Sequence, residues 1–228
     1  MLISMNEDFY LTDLMPSVVS LITDSYEHIQ TPEFDALICE YLKDAVSVEN
    51  PTLIQISGIP GSGKTTFSKQ SIFEPYLYLN FDTVMERIPA YNQDVFSKGS
   101  EQAFALWEMP ARIIGYQILI KAIKKKINIV FEHSGGNQAH IELFQNIKKL
   151  GYTTELIFLN CDREVAYKRI QERMLRTHRF TPRRLIDERA DVAEFFLKKY
   201  QGIADKITIL DTTEGVPSYN IEERSVND

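Results

Sequence analysis

Residues 53–66 read LIQISGIPGSGKTT. The stretch begins as an apolar run of strand length and passes through a glycine-rich loop into a helical pattern. Within it, residues 58–65 follow the spacing G-x-x-x-x-G-K-T, which is typical of a loop that binds phosphate groups. A strand before this loop and a helix after it are the context that the motif requires. The pattern therefore predicts a nucleotide-binding site rather than an ordinary turn.

The residue types in the loop explain how it would hold a nucleotide. Glycine adopts positive φ values at little cost and lets the backbone approach an anion closely, and N–H groups at the start of a helix form a positive nest. We expect Lys64 to reach the β- and γ-phosphates and Thr65 to coordinate the accompanying Mg²⁺. The predicted nucleotide-binding residues are Gly58, Pro60, Gly61, Ser62, Gly63, Lys64, Thr65 and Thr66.

The composition limits the class of protein. The chain has 228 residues, 44% of them hydrophobic and 25% charged, which suits one globular α/β domain with an appended helical segment. Cys39 and Cys161 lie far apart, without metal or redox spacing, so we expect a reducing, cytoplasmic location. The N-terminus lacks the pattern of a signal peptide, and no apolar run approaches membrane-spanning length. We therefore expect no membrane segment.

The net charge of −7 is unevenly distributed. Residues 1–50 contain ten acidic residues and one lysine, a net charge of −9, whereas residues 163–189 contain nine basic and four acidic residues, a net charge of +5. Eight of those nine basic residues are arginines, which favours phosphate binding over a merely solvated helix face. A nucleic-acid partner is weakly supported, because the basic segment is short and the whole chain is acidic.

The hydrophobic pattern predicts an acidic helical arm, residues 1–50, followed by alternating strands and helices. Helical spacing over residues 12–29 and 33–46 defines the arm. Residues 51–211 form the predicted α/β domain, a five-stranded parallel sheet flanked by helices, and residues 212–228 form a polar tail. The predicted strands are residues 52–57, 76–81, 127–132, 153–160 and 206–210, and the predicted helices of the domain are residues 64–73, 101–124, 137–149, 164–178 and 182–200.

Two carboxylates stand at the ends of predicted strands. Asp82 ends the second strand and Glu132 ends the third, and ligands of open parallel sheets bind at this edge. A carboxylate close to a γ-phosphate can orient an acceptor hydroxyl and accept its proton, as a kinase requires. The alternative is that Asp82 caps a helix and Glu132 merely ends its strand.

Several segments together resemble the zeta toxin kinases. Residues 82–89, DTVMERIP, resemble the D-x(4)-R-x-P segment that follows the second strand in that family, and residues 127–134, INIVFEHS, resemble its strand ending in Glu-Gly-Thr. Residues 150–156, LGYTTEL, are similar to its K-G-Y segment, and residues 179–182, RFTP, to its R-x-T-P lid. The resemblance extends over residues 52–210 in the family's order.

The resemblance implies a P-loop kinase fold and a reaction. Zeta toxins use ATP or GTP with Mg²⁺ to phosphorylate a hydroxyl of UDP-N-acetylglucosamine. Lys64 and Thr65 would then hold the donor phosphates and Mg²⁺, and Asp82 would be the catalytic base. The arginines implied to neutralise the transferred phosphoryl group are Arg173 and Arg179. The residues implied to bind the nucleotide sugar are Arg87, Glu132, His133 and Ser134, with His133 either replacing a lost contact or packing at the strand end.

The sequence departs from the family on the acceptor side. Met85 stands where the family usually has an arginine, and no arginine follows Glu132 in residues 133–137. The identity of the acceptor therefore stays open, and a nucleoside or polynucleotide 5′-hydroxyl kinase is the main alternative. A nucleotide-dependent ATPase or switch is another, although the N-K-x-D segment of a GTPase is absent from the sequence.

The family also implies a partner. Its members pair with a separate antitoxin protein that covers the nucleotide site. Residues 1–50 could therefore be a fused inhibitory arm or could simply add helices to the domain.

Overall fold

Five strands form the sheet that organises the molecule. The computed structural model describes residues 11–18, 32–71, 73, 75–177 and 180–218. Its strands are Thr52–Ser57 (β1), Leu77–Asn80 (β2), Ile129–Glu132 (β3), Thr153–Asn160 (β4) and Lys206–Asp211 (β5). They are parallel and lie in the order β2-β3-β1-β4-β5. The predicted five-stranded parallel sheet is confirmed.

The register of the sheet brings three strand ends together. Glu132 at the end of β3 is paired with Ile56 of β1 on one side and with Asn80 of β2 on the other. The phosphate-binding loop leaves β1 directly after Ser57. Because these strands are parallel, the loop, Glu132 and the residues after Asn80 share one edge of the sheet, where ligands of such folds bind.

Helices cover both faces of the sheet. They are Leu11–Leu14 (α1), Pro32–Tyr41 (α2), Lys64–Gln70 (α3), Phe81–Glu86 (α4), Pro89–Lys98 (α5), Ser100–Lys124 (α6), Gln138–Ile147 (α7), Arg163–Thr177 (α8) and Arg183–Gln201 (α9). The five helices that the sequence predicts for the domain each begin within one residue of the expected position. None of the helices in the described part of the chain is long and apolar enough to cross a membrane.

The predicted end of the second strand is wrong. β2 ends at Asn80, and α4 begins at the next residue. The Asn80 side-chain oxygen accepts hydrogen bonds from the backbone N–H groups of Asp82 (2.8 Å) and Thr83 (3.2 Å). This satisfies two of the N–H groups that a helix start leaves unpaired. Asn80, not Asp82, is therefore the cap, and Asp82 lies in the first turn of α4, where a carboxylate suits the helix dipole.

The described part of the N-terminal arm packs into the main core. Leu14, Met15 and Ile38 are buried in the same cluster as residues of α6 and β3. Asn146 of α7 donates a hydrogen bond to the Leu14 carbonyl (3.2 Å). The expected helix over residues 12–29 falls largely outside the described residues, and the one expected over 33–46 ends at Tyr41.

Strand alternation divides the core between the two faces of the sheet. Leu53 of β1 belongs to the larger cluster, while its neighbour Ile54 belongs to a smaller cluster on the other face together with Phe67 of α3. Phe67 is fully buried, a contact that stabilises the fold by roughly 1.5–3 kcal/mol. That burial fixes α3, and with it the loop before it, against the carboxyl edge of the sheet.

Candidate active site

The phosphate-binding loop has the backbone that its sequence predicts. Gly58, Gly61 and Gly63 have φ values of 147°, 86° and 90°, which side chains with a Cβ rarely adopt. A Cβ on Gly61 would lie 2.4 Å from the Ala166 carbonyl oxygen, and one on Gly63 would lie 2.5 Å from a methyl group of Val216. The glycines therefore allow both the turn and the close packing of α8 and the C-terminal segment around it.

Polar groups of the loop suit an anion. No side chain within the described residues caps α3 at Gly63, so the first N–H groups of this helix point toward the loop. The buried Ser62 hydroxyl has no hydrogen-bond partner in the described structure, which costs about 1–3 kcal/mol. Lys64 folds back over the loop and donates to the carbonyls of Gly58 (2.8 Å) and Ile59 (3.0 Å). The loop residues thus fit a bound phosphate chain.

Glu132 lies beside the predicted metal ligand. The Thr65 hydroxyl donates to Glu132 Oε1 (2.9 Å), and the Ser68 and Tyr78 hydroxyls donate to its other oxygen. Glu132 is 5% exposed, and burial together with its charge raises the pKa of Tyr78. A hydroxyl and a carboxylate oxygen at this spacing are the hard oxygen ligands that suit Mg²⁺ alongside phosphates and water. In the described structure Glu132 therefore contacts residues at the donor end of the cavity, and its predicted role in acceptor binding stays a prediction.

One cavity of about 1190 Å³ joins the loop to the predicted acceptor side. Its donor end contains side chains of the phosphate-binding loop and of α8. The other end is bounded by α4, α6, β3 and α9. Residues lining the donor end include Lys64, Thr65, Ser68, Arg169 and Arg173, and residues lining the other end include Asp82, Glu86, Glu108, Arg112, His133, Ser134 and Arg189.

The C-terminal segment helps to form the donor end. Thr212 is buried, and its hydroxyl donates to the Ser62 carbonyl (2.9 Å). Arg169 of α8 donates to the carbonyls of Thr212 (2.7 Å) and Thr213 (3.2 Å). The first residues of the predicted polar tail are thus attached to the phosphate-binding loop.

Asp82, Glu86 and Arg173 all line the cavity. Asp82 and Glu86 are four residues apart on α4 and so share one face of the helix. Burial raises the pKa of Glu86, and Arg173 acts against this shift. Arg173 of α8 also donates to the Thr181 hydroxyl (2.5 Å). A carboxylate and an arginine are therefore both available between the donor and acceptor ends of the cavity.

Among the described residues, three of the predicted site residues do not line this cavity: Gly58, Ser62 and Arg87. Arg179 lies outside the described residues. Arg87 is the residue after α4, pairs with Glu40 (3.6 Å) and stacks over the Tyr41 ring (4.6 Å) on the N-terminal arm. Being five positions from Asp82, it lies off the face of α4 that lines the cavity, and its role in acceptor binding stays a prediction.

His133 both packs at the strand end and lines the cavity. Its ring centroid is 3.8 Å from that of His140, which is fully buried, whereas His133 is half-buried. Burial, followed by His140, lowers the pKa of His133 well below its usual value, and burial lowers the pKa of His140 to about 3. The Gly135 N–H donates to His133 Nδ1 (3.2 Å). His133 is therefore neutral, with its proton on Nε2, and Ser134 lies next to it.

Two arginines that the sequence analysis did not select also line the acceptor end. Arg112 comes from the middle of α6 and Arg189 from α9, so no short motif contains them. One signal was available: Arg112 stands between the apolar residues 109–111 and 113–116. A charged residue inside such a run is unusual unless it faces a polar site.

Comparisons with known proteins agree with this geometry. A family model described as Zeta toxin matches residues 36–224. No curated protein sequence matches the chain.

Solved structures share the fold. The PezAT toxin-antitoxin structure from Streptococcus pneumoniae is 19% identical with a TM-score of 0.65, covering 80% of this chain and 78% of that chain. A proposed kinase from Chloroflexus aurantiacus is 18% identical with a TM-score of 0.52, covering 77% of this chain and 92% of that one. The AvrRxo1-ORF1:AvrRxo1-ORF2 structure with sulphate ions is 13% identical with a TM-score of 0.53, covering 80% of this chain and 65% of that one.

Proposed function

Because the chain belongs to the zeta toxin family, and is therefore a nucleotide-dependent P-loop kinase, we propose that it transfers the γ-phosphoryl group of ATP or GTP to a hydroxyl of a nucleotide sugar such as UDP-N-acetylglucosamine. The observation that supports this most is the single cavity that joins the phosphate-binding loop to Asp82. A nucleotide hydrolase needs room only for its nucleotide and one water molecule. A volume of about 1190 Å³ suits a donor nucleotide and a second large ligand.

The donor is held by the loop. The open N–H groups before α3 and the Ser62 hydroxyl bind phosphate oxygens. Lys64 exchanges its two carbonyl contacts for the β- and γ-phosphates. Thr65 and Glu132 are the residues that would hold Mg²⁺, which when bound neutralises charge on the phosphates.

Asp82 is the proposed catalytic base. An acceptor hydroxyl between Asp82 and the γ-phosphate gives its proton to the carboxylate as its oxygen attacks phosphorus. The bond from phosphorus to the bridging oxygen of the donor breaks, so that the products are the nucleoside diphosphate and a phosphorylated acceptor. Arg173 stabilises the charge on the transferred group, because its planar guanidinium binds two phosphate oxygens at once. Arg179 belongs to the segment that resembles the family's lid, and it is proposed for the same task.

His133 and Ser134 are proposed acceptor contacts. The His133 ring is neutral and carries its proton on Nε2, so it can donate a hydrogen bond without adding charge. The Ser134 hydroxyl can donate or accept. Both residues line the end of the cavity opposite the loop.

An antitoxin protein is the proposed macromolecular partner. The solved structures with this fold include one from a toxin-antitoxin system and one of a two-protein complex. None of the described residues of the N-terminal arm lines the cavity. We therefore propose that residues 1–50 stabilise the domain and that inhibition requires a separate protein.

The proposal is tested by an acceptor screen. The full chain is given ATP or GTP with Mg²⁺ and a panel of nucleotide sugars and 5′-hydroxyl oligonucleotides, and phosphorylated products are identified by mass spectrometry. We expect a nucleotide sugar to be phosphorylated, and we expect Lys64→Ala and Asp82→Asn to lower kcat by about 10²-fold or more. Selective phosphorylation of oligonucleotides would instead identify a polynucleotide kinase.

A further inference from the structure

Two arginines from different helices meet at the acceptor end of the cavity. Arg112 lies on α6 and Arg189 on α9, and both line the same space as His133. Arg112 is a quarter exposed and pairs with Glu108 one turn earlier on α6 (2.6 Å). Arg189 donates to the Gly136 carbonyl (2.8 Å). The two guanidinium groups thus reach the same cavity from two different helices.

The two arginines lie close to each other and use only some of their N–H donors. Burial lowers the pKa of Arg189, and the charge of Arg112 lowers it further, so the two groups are close enough to repel each other. Within the described part of the chain, Arg189 makes one hydrogen bond, although a guanidinium has five N–H donors. Glu108 is the carboxylate paired with Arg112. Glu108 and the exposed Glu188 are the carboxylates that act on Arg189. The two arginines therefore share nearby anions, while most of their N–H donors make no hydrogen bond within the described residues.

The groups beneath the arginines supply no compensating charge. The charges of both arginines act to lower the pKa values of Tyr116, His133 and His140. Burial raises the pKa of Tyr116 to about 12, so this phenol stays neutral, and both histidines stay neutral as well. Two close guanidinium groups beside neutral side chains repel each other, and a bound anion would relieve this repulsion.

We propose that Arg112 and Arg189 form an anion subsite that binds a phosphate or diphosphate group of the acceptor. This subsite deepens the proposed function, on which it rests, because its ligand would enter the cavity that holds the donor phosphates. Two guanidinium forks can each bind a pair of phosphate oxygens, which a single ammonium group cannot do. Glu108 occupies one fork of Arg112 while the subsite is empty and leaves it when the anion binds.

Pyrophosphate binding tests the subsite without catalysis. The full chain is first saturated with a non-hydrolysable ATP analogue and Mg²⁺ so that the phosphate-binding loop is filled, and inorganic pyrophosphate is then titrated by calorimetry. We expect Arg112→Gln and Arg189→Gln each to weaken pyrophosphate binding by roughly tenfold or more. Glu108→Gln removes the competing carboxylate and should strengthen binding.

The controls separate charge from folding. Arg163→Gln breaks a comparable ion pair, with Asp191 (2.6 Å), outside the cavity, and should leave pyrophosphate binding unchanged. Arg112→Lys and Arg189→Lys keep the charge and the packing but lose the fork, and should bind with intermediate affinity. Equal binding by wild type, Arg112→Gln and Arg189→Gln would overturn the subsite, as would weaker binding by Glu108→Gln.

The outcomes for subsite and function are distinguishable. Pyrophosphate binding that depends on both arginines, in a protein that phosphorylates no nucleotide sugar, would support the subsite and overturn the proposed acceptor. Phosphorylation of a nucleotide sugar with the same KM in wild type, Arg112→Gln and Arg189→Gln would support the proposed function and overturn the subsite.

Discussion

At the scale of single residues, Glu132 has the most informative contacts in the cavity. It receives hydrogen bonds from Thr65, Ser68 and Tyr78 and is almost fully buried. A buried carboxylate is stable as an anion only when hydrogen bonds or cations compensate for lost water. The three hydroxyls and the nearby Arg173 meet this need. Glu132 is thus held ready beside Thr65, the proposed Mg²⁺ ligand.

Glu132→Gln should weaken the response to Mg²⁺. The amide keeps the size of the side chain but removes the negative charge, and its NH₂ group cannot accept the hydroxyl hydrogen bonds. We expect the Mg²⁺ concentration for half-maximal activity to rise by roughly 10–100-fold. Ser68→Ala is the control: it removes a long contact to Glu132 (3.4 Å) and a hydrogen bond to the Lys64 carbonyl within α3 (2.9 Å), and it should change this concentration little. An unchanged Mg²⁺ requirement in Glu132→Gln would contradict a role of the Glu132 carboxylate in binding Mg²⁺.

At the scale of secondary-structure elements, the junction between β2 and α4 positions the proposed base. Asn80 ends the strand, caps the helix and is nearly buried. Because Asp82 follows two residues later, its direction depends on how this cap fixes the first turn. The proposed role of Asp82 as the base therefore depends on this element boundary, as the stability of α4 does.

Asn80→Ala should lower both stability and activity. Loss of a helix cap costs about 0.5–2 kcal/mol of unfolding free energy, and a misplaced base should lower kcat by at least about tenfold. Asp162→Ala is the matched control, since Asp162 likewise accepts from two N–H groups at the start of α8 (2.9 and 3.2 Å). It should lower stability similarly with little loss of kcat. Equal losses of kcat in both variants would contradict a positioning role for Asn80.

Local motifs could be predicted from the sequence, whereas an element boundary and contacts between distant segments could not. The phosphate-binding loop is a local motif, so its glycines, Lys64 and Thr65 could be recognised from spacing alone. Residues 76–81 read YLYLNF, and the apolar Phe81 after Asn80 concealed that Asn80 ends the strand and caps the helix. Arg112 and Arg189 meet only because α6 and α9 pack around the same edge of the sheet. No pattern along one chain segment encodes that meeting.

At the scale of the whole molecule, the core and the cavity share their walls. Phe81 and Phe131 belong to the main core and also pack against His133, which lines the cavity. His140 lies behind His133 and is fully buried. Two neutral histidines are thus built into the structure between core and site. Their protonation couples the stability of the whole fold to pH.

The free energy of unfolding should fall as the pH drops below about 6.5. The unfolded chain binds a proton at each histidine there, whereas burial lowers the pKa of His140 to about 3 and that of His133 well below normal in the fold. The unfolded state binds more protons, so stability falls by up to about 1.4 kcal/mol per pH unit for each histidine.

Urea unfolding between about pH 7 and pH 5 measures this dependence. His140→Gln removes one titrating group and should reduce the slope of unfolding free energy against pH by up to about 1.4 kcal/mol per pH unit. The other titrating groups cancel in the comparison except His133, whose pKa His140 also lowers, although burial lowers it more and does so in both proteins. An identical slope in wild type and variant would show that His140 is protonated in the folded state.

We propose that the protein binds a nucleotide and a sugar nucleotide in one cavity and transfers a phosphoryl group between them, with Asp82 as the base. The most direct test is a ³¹P NMR time course of the full chain with ATP, Mg²⁺ and UDP-N-acetylglucosamine. We expect the γ-phosphate signal to be replaced by that of a phosphate monoester on the sugar. We expect Asp82→Asn to lower the rate of this replacement by about 10²-fold or more. Appearance of inorganic phosphate alone, at the same rate with or without the sugar nucleotide, would contradict it.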